Sequence, residues 1–165
     1  MMIDKAKIEG TVNDLNAKYN NKSSTNDDML LYSKLAVMEF CGWIEESFDL
    51  ILREYMTKVN IDNANIDFIN KNIIRPFSSF EYQKLKFLLL SMFGIKNIQT
   101  IETAIGTDFE KFKSILGTFQ DKRNKIAHTF ISGTQQQIAA PSEVLTNLTN
   151  LFPIMQKLET EVNRL

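Results

Sequence analysis

The sequence predicts an all-α fold, a single-domain helical bundle of about five or six helices with one long second helix. Three observations carry that prediction. Apolar residues recur at three-to-four spacing along most of the 165 residues, as the buried stripe of a helix requires. Breakers are scarce, with three prolines and six glycines in the whole sequence. No stretch alternates apolar and polar residues for long enough to argue for a sheet, and no repeat returns at a fixed period. A composition of 44% hydrophobic and 24% charged residues is that of a globular protein and excludes intrinsic disorder and collagen-like repeats. The length suits one domain, residues 1–165, large enough to bury a proper core.

The first helix is expected from about Met2 to Tyr19, with Ile8, Val12, Leu15 and Tyr19 on one side. A polar break, Asn20 to Thr25, ends it. Thr25 or Asn26 then caps a second helix whose first turn holds Asp27 and Asp28, where negative charge complements the helix dipole. That helix has no proline through LLYSKLAVMEFCGWIEESFDLILREYMTK. Leu30, Val37, Cys41, Ile44, Phe48, Ile51, Leu52 and Tyr55 form its apolar face, with Glu39, Glu46, Asp49 and Arg53 opposite. The Asn-rich stretch 60–72 holds a shorter helix around Ile66 and Ile69, ended by Pro76, since the residue before a proline disfavours helical geometry. Ser78 or Ser79 caps a helix through Phe80, Leu85, Leu88, Leu89 and Met92 that stops at Gly94, and residues 95–106 are read as a connector. Asp108 to about Phe130 forms the next helix, with Gly117 inside it. SGTQQQIAAP is a loop, and Pro141 or Ser142 starts a last amphipathic helix that Pro153 should kink or divide.

Charge and inventory exclude several kinds of chemistry. The formal net charge is -1, so affinity for nucleic acid must come from a local patch. A single histidine and a single cysteine, Cys41, leave no Cys/His cluster for zinc and no internal disulfide, and the bundle type of carboxylate-bridged metal site needs Glu-x-x-His pairs. There is no Gly-rich phosphate loop and no Gly-x-Ser-x-Gly elbow. No metal or other cofactor is expected. The start, MMIDKAKIEGTVNDLNAKYNN, lacks a signal-peptide core, and no apolar run approaches a membrane span. A cytoplasmic protein without a membrane partner is the expectation.

The segment that carries the histidine, FQDKRNKIAHTF, is a basic patch with Asp121 against Lys122, Arg123 and Lys125. Asn124 and His128 lie four positions apart and share a helix face, while the long arm of Arg123 can reach round from its neighbouring position. Ile126 and Ala127 anchor the helix. The group combines one side chain that titrates near neutrality, one permanent phosphate binder and one amide on a rigid element. Metal-free RNA cleavage asks for this set: the ribose 2′-hydroxyl loses a proton, the 5′-oxygen gains one, and the phosphorane needs a cation. One His and one Arg are thin for that work, and two copies across a two-fold axis would supply enough.

The string RNKIAH, Arg-Asn-x-x-x-His on a late helix of a small α-bundle, resembles the signature of HEPN domains. The long second helix with CGWIEESFDLIL is similar to the corresponding helix of bacterial HEPN proteins. The resemblance implies a homodimer with a composite, metal-independent endoribonuclease site at its interface, acting on an RNA substrate as a toxin or antiviral defence effector. It implies that Arg123 binds and stabilises the scissile phosphate, that His128 is the general acid or base, and that Asn124 orients the pair. Lys125 belongs to the same patch. An acidic residue from the second helix sometimes joins such sites, which implies Glu45 or Glu46, and Glu45 lies nearer the edge of the apolar face. For a toxin, a cognate antitoxin or regulatory protein is an implied partner. In the toxin subgroup paired with nucleotidyltransferase antitoxins a tyrosine usually follows the histidine by two positions; Phe130 stands there and has no hydroxyl to modify.

Plainer readings compete with each of these. His128 near a helix end also suits the helix dipole, Arg123 also suits an ordinary surface ion pair, and the basic patch also reads as a solvated helix face. The alternative function is a non-catalytic HEPN-like dimer that binds RNA, a nucleotide or a protein partner. A helical interaction module with no nucleic-acid role is the third.

Overall fold

The structure, a computed structural model, describes residues 3–76, 79–127 and 138–165. Among these residues it contains six α-helices: α1 (Ala6–Tyr19), α2 (Asn26–Lys58), α3 (Asn63–Ile69), α4 (Tyr82–Ile105), α5 (Phe109–Ala127) and α6 (Pro141–Val162). The all-α bundle with a long second helix is as the sequence predicts. Residues 128–137, with His128, Phe130 and most of the expected loop, lie outside the described residues, as does Ser78.

Thr25 starts α2 as expected. Its Oγ1 accepts from the Asp28 amide at 3.1 Å, while the Asp28 carboxylate accepts from the Thr25 amide at 3.0 Å. This reciprocal pair satisfies two amides that the first helical turn would leave open. The helix then continues for 33 residues and packs on α1, α5 and α6, which together surround the core. Val12 of α1, Phe40 of α2, Phe119 of α5 and Met155 of α6 are wholly buried in it.

Two stretches depart from expectation. The first is 95–106, which is helical and not a connector. Gly94 interrupts α4 with φ 76° and ψ 163°, and the chain resumes as helix beyond it. Tyr82 Oη donates to Glu102, and Lys86 Nζ lies 2.7 Å from the same carboxylate. Along a straight helix, Tyr82 and Glu102 would stand about 30 Å apart, so the two arms of α4 double back on each other. Ile98, Ile101 and Ile105 continue the apolar spacing and are buried. Glycine punctuates the helix here because only glycine adopts this backbone without strain, but the burial available to the next turns restarts it. The second is α6, where of the kink or division expected at Pro153 the division is absent and the helix runs on through the proline. Leu151, Ile154, Met155 and Leu158 around the proline are buried, and their packing offsets the lost backbone hydrogen bond.

Smaller differences concern boundaries. Helix α1 begins at Ala6, and α4 begins at Tyr82, with Ser79 Oγ accepting from the Glu81 amide at 3.3 Å. The short helix expected around Ile66 and Ile69 is α3, capped by the Asp62 carboxylate on the Asn65 amide at 2.9 Å. It widens into a π-turn at Asn70–Ile74, closed by the Arg75 amide on the Asn70 carbonyl at 3.0 Å.

Candidate active site

Helices α2 and α5 build the site because of what they bury one turn earlier. Phe40 of α2 meets Phe119 of α5 edge-to-face, with ring centroids 4.7 Å apart. Beside them, Cys41 Sγ lies 3.6 Å from the Phe119 carbonyl oxygen. One turn further along both helices, Arg123 Nη1 donates to Glu45 Oε1 at 2.7 Å. The two contacts have the same sequence offset, 78 residues, so the helices run side by side in the same direction and the buried pair sets the register of the polar one.

Both partners of this ion pair stay partly in water, with side chains 27% and 36% exposed for Arg123 and Glu45. Burial raises the Glu45 pKa, the Arg123 charge and hydrogen bond pull it back, and the nearby Asp49 adds to the rise; the net direction is upward. Burial also pushes the Cys41 thiol up to about 12, with the Arg123 charge opposing that shift and Glu45 adding to it.

The remaining candidates fall at different distances from this pair. Asn124 is exposed, and its Oδ1 accepts from Gln120 Nε2 at 3.2 Å. Gln120 is itself buried, and its Oε1 accepts from the Phe80 amide at 3.3 Å, so Asn124 is tethered through α5 to the chain that leads into α4. Lys122 is turned toward α6, where it pairs with Glu143, and Lys125 is exposed. Glu46 faces away from Arg123. It lines a second cavity of about 420 Å³ between α1 and α2, beside Lys7 and Trp43. His128 lies outside the described residues.

Arg123 and Glu45 stand at the edge of a cavity of about 540 Å³. Sequence reasoning missed this cavity and the cations it draws from elsewhere: Arg53 of α2, Lys71 of the π-turn, and Arg75 just after it. Asp49 is half-buried against the cavity, although its position on α2 was expected to face solvent. Burial raises its pKa, while Arg53 lowers it and Glu46 raises it further. The available signal was the i,i+4 spacing of Lys71 and Arg75 immediately before Pro76. Among the described residues no cluster of His, Cys, Asp or Glu could hold a metal, and no helix is long and apolar enough to cross a membrane.

Comparison with known proteins decides the family. A family model described as RiboL-PSP-HEPN matches residues 4–164, nearly the whole chain. The chain belongs to the RiboL-PSP-HEPN family. The HEPN assignment read from Arg123-Asn124-x-x-x-His128 and from the second helix is borne out at the level of the family. No curated protein and no solved structure matches the chain significantly. HEPN membership points to RNase-like chemistry or nucleotide binding, and HEPN domains commonly act as dimers on RNA.

Proposed function

We propose that this HEPN protein is a metal-independent endoribonuclease that acts as a cytoplasmic homodimer, with Arg123 and His128 of both copies forming a composite site. The observation that carries the proposal is the Arg123–Glu45 pair at the mouth of an open cavity, on the helix that leads into His128. Glu45 holds the guanidinium in place, and a guanidinium so placed binds a phosphodiester and stabilises the charge that develops on the phosphorane. His128 acts as general base on the ribose 2′-hydroxyl, whose oxygen attacks the adjacent phosphorus. The 5′-oxygen leaves and takes up a proton from the imidazolium of the other copy. The products are a 2′,3′-cyclic phosphate and a 5′-hydroxyl. Asn124, tethered by Gln120, orients the pair, and Lys125 adds to the local positive field. In this reading the protein serves as a toxin or antiviral effector, restrained by a partner such as a cognate antitoxin.

The test is the chemistry of the RNA ends. Purified protein should leave cyclic phosphates, Arg123→Ala should leave none, and both proteins should show the mass of a dimer by light scattering. Linear 3′-hydroxyl ends, or cyclic ends that persist in Arg123→Ala, overturn the proposal. The Arg123–Glu45 ion pair also gives the alternative its footing, since it puts the arginine in structural use. A non-catalytic HEPN dimer would bind RNA, a nucleotide or a protein with an affinity that falls with salt, and would release no product.

A further inference from the structure

We infer that the cavity beside Arg123 is a nucleotide subsite, which holds the ribonucleotide next to the bond cut in the proposed reaction and binds its phosphate through Lys71 and Arg75. The inference rests on the ribonuclease reading for its place in the substrate, but the cavity argues for a nucleotide on its own chemistry.

The π-turn is what aims this wall of the cavity. It widens the backbone after α3, so that Lys71 and Arg75 line the same cavity as Arg123, which reaches it from α5. Such turns are frequent at functional sites. The charges do not cancel. Glu45 offsets Arg123, and Asp49 offsets Arg53, which leaves Lys71 and Arg75 against Asp67 alone. Lys71 and Arg75 are exposed and form no salt bridge among the described residues, so two solvated cations face an opening of about 540 Å³. That volume lies within the range of small-ligand sites, about 300–1,000 Å³.

The rest of the lining separates a nucleotide from a bare anion. Ile74 and Phe80 supply apolar surface for a base and sugar, and Asp67 supplies acceptors for the ribose hydroxyls and base N–H groups that an inorganic anion lacks. A nucleotide satisfies the cations, the acid and the apolar floor together.

The experiment measures binding of a fluorescent single-stranded RNA in EDTA across a salt series, on a His128→Ala background so that the RNA stays intact. Adding Lys71→Ala and Arg75→Ala should weaken binding roughly tenfold and flatten the log–log salt slope by about 1.4, or ~0.7 for each cation removed from a single-strand contact. Adding Lys18→Ala and Lys22→Ala, which remove the same charge from the far end of α1 and its following turn, should leave affinity and slope unchanged. All variants should melt as the parent does. A mixture of the four nucleoside monophosphates should displace the RNA, and inorganic phosphate at the same concentration should not.

Equal binding by the Lys71/Arg75 and Lys18/Lys22 variants overturns the subsite, and so does equal displacement by phosphate, which would reduce the cavity to an anion site. The two readings fail separately. Lost binding in the Lys71/Arg75 variant, with no cleavage by the wild type, removes the ribonuclease and keeps a nucleotide site. Cleavage by the wild type with unchanged binding in that variant does the reverse.

Discussion

At the scale of single residues, Arg123 and Glu45 bear most of the functional weight, because their 2.7 Å contact links α2 to α5 and both residues line the cavity. If Glu45 positions Arg123, protonating Glu45 releases it. Burial sets the Glu45 pKa above the usual carboxylate range, so activity should fall on the acid side as pH drops through that raised value. Glu45→Gln should lower cleavage by roughly 10- to 100-fold, the scale of a small misplacement of a catalytic group, and should keep only the acid limb set by protonation of the His128 base. A pH–rate profile compares the two, and an identical acid limb in Glu45→Gln contradicts the role. Cys41 makes an independent check on the packing below the pair. Buried, and with its thiol pushed up to about 12, it should resist alkylation at pH 8 in the folded protein and react fully in denaturant. Rapid native labelling would show that the α2–α5 contact is open. Arg123 and Asn124 stand side by side on α5 as the sequence places them, because that part of the motif is contiguous. Glu45 and Glu46 are candidates through the family resemblance, and a place nearer the edge of the apolar face favours Glu45. The cations Arg53, Lys71 and Arg75 were not legible, since their convergence depends on how three elements pack.

At the scale of elements, the hairpin in α4 is the feature that sequence periodicity did not reveal. Gly94 reads in the sequence as the end of a helix, which is right for the first arm, but Ile98, Ile101 and Ile105 form a second apolar stripe too short to stand out beside it. Gly94→Ala should destabilise the fold by about 1–3 kcal/mol, the cost of a side chain in a glycine-only backbone region. The strain lies in the backbone alone, because a Cβ there would meet no atom within 4 Å. Urea denaturation measures it, and an unchanged midpoint would mean that the reversal is made elsewhere. The arms are held by Glu102, which joins Tyr82 and Lys86 across the bend. Burial opposes the Glu102 charge, but the hydrogen bonds from Lys86 and Tyr82 and the Lys86 ammonium outweigh it and lower the pKa below 4.5. The folded carboxyl therefore binds its proton less readily than the unfolded one. Its stabilisation is present above pH 4.5 and is lost as pH falls through the lower folded value. The urea midpoints of wild type and Glu102→Gln should differ at pH 7 and converge as pH falls below the lowered Glu102 value. A gap that persists in acid would assign the effect to packing. Capping of α2 by Thr25 and the extent of that helix were plain from the sequence, since both are local. The passage of α6 through Pro153 was not, because tertiary burial around the proline overrides its local cost.

At the scale of the whole molecule, the chain is a HEPN-family bundle whose long α2 lines a cavity beside Glu45 and Arg123 and another beside Glu46. The near-neutral total charge hides this arrangement, because the cavity's acids nearly match its cations and the small positive excess left there is lost in the sum over the chain. Composition could therefore argue against a Cys/His zinc cluster and a phosphate loop without revealing this cavity. In the proposed function, the Arg-Asn-x-x-x-His motif cleaves RNA without a metal. The most direct measurement is a digest of mixed RNA in EDTA by wild type and by His128→Ala, each first shown to melt at the same temperature. Cleavage by wild type and none by His128→Ala is the predicted result. Equal cleavage by both, or cleavage by wild type that EDTA abolishes, would contradict the account.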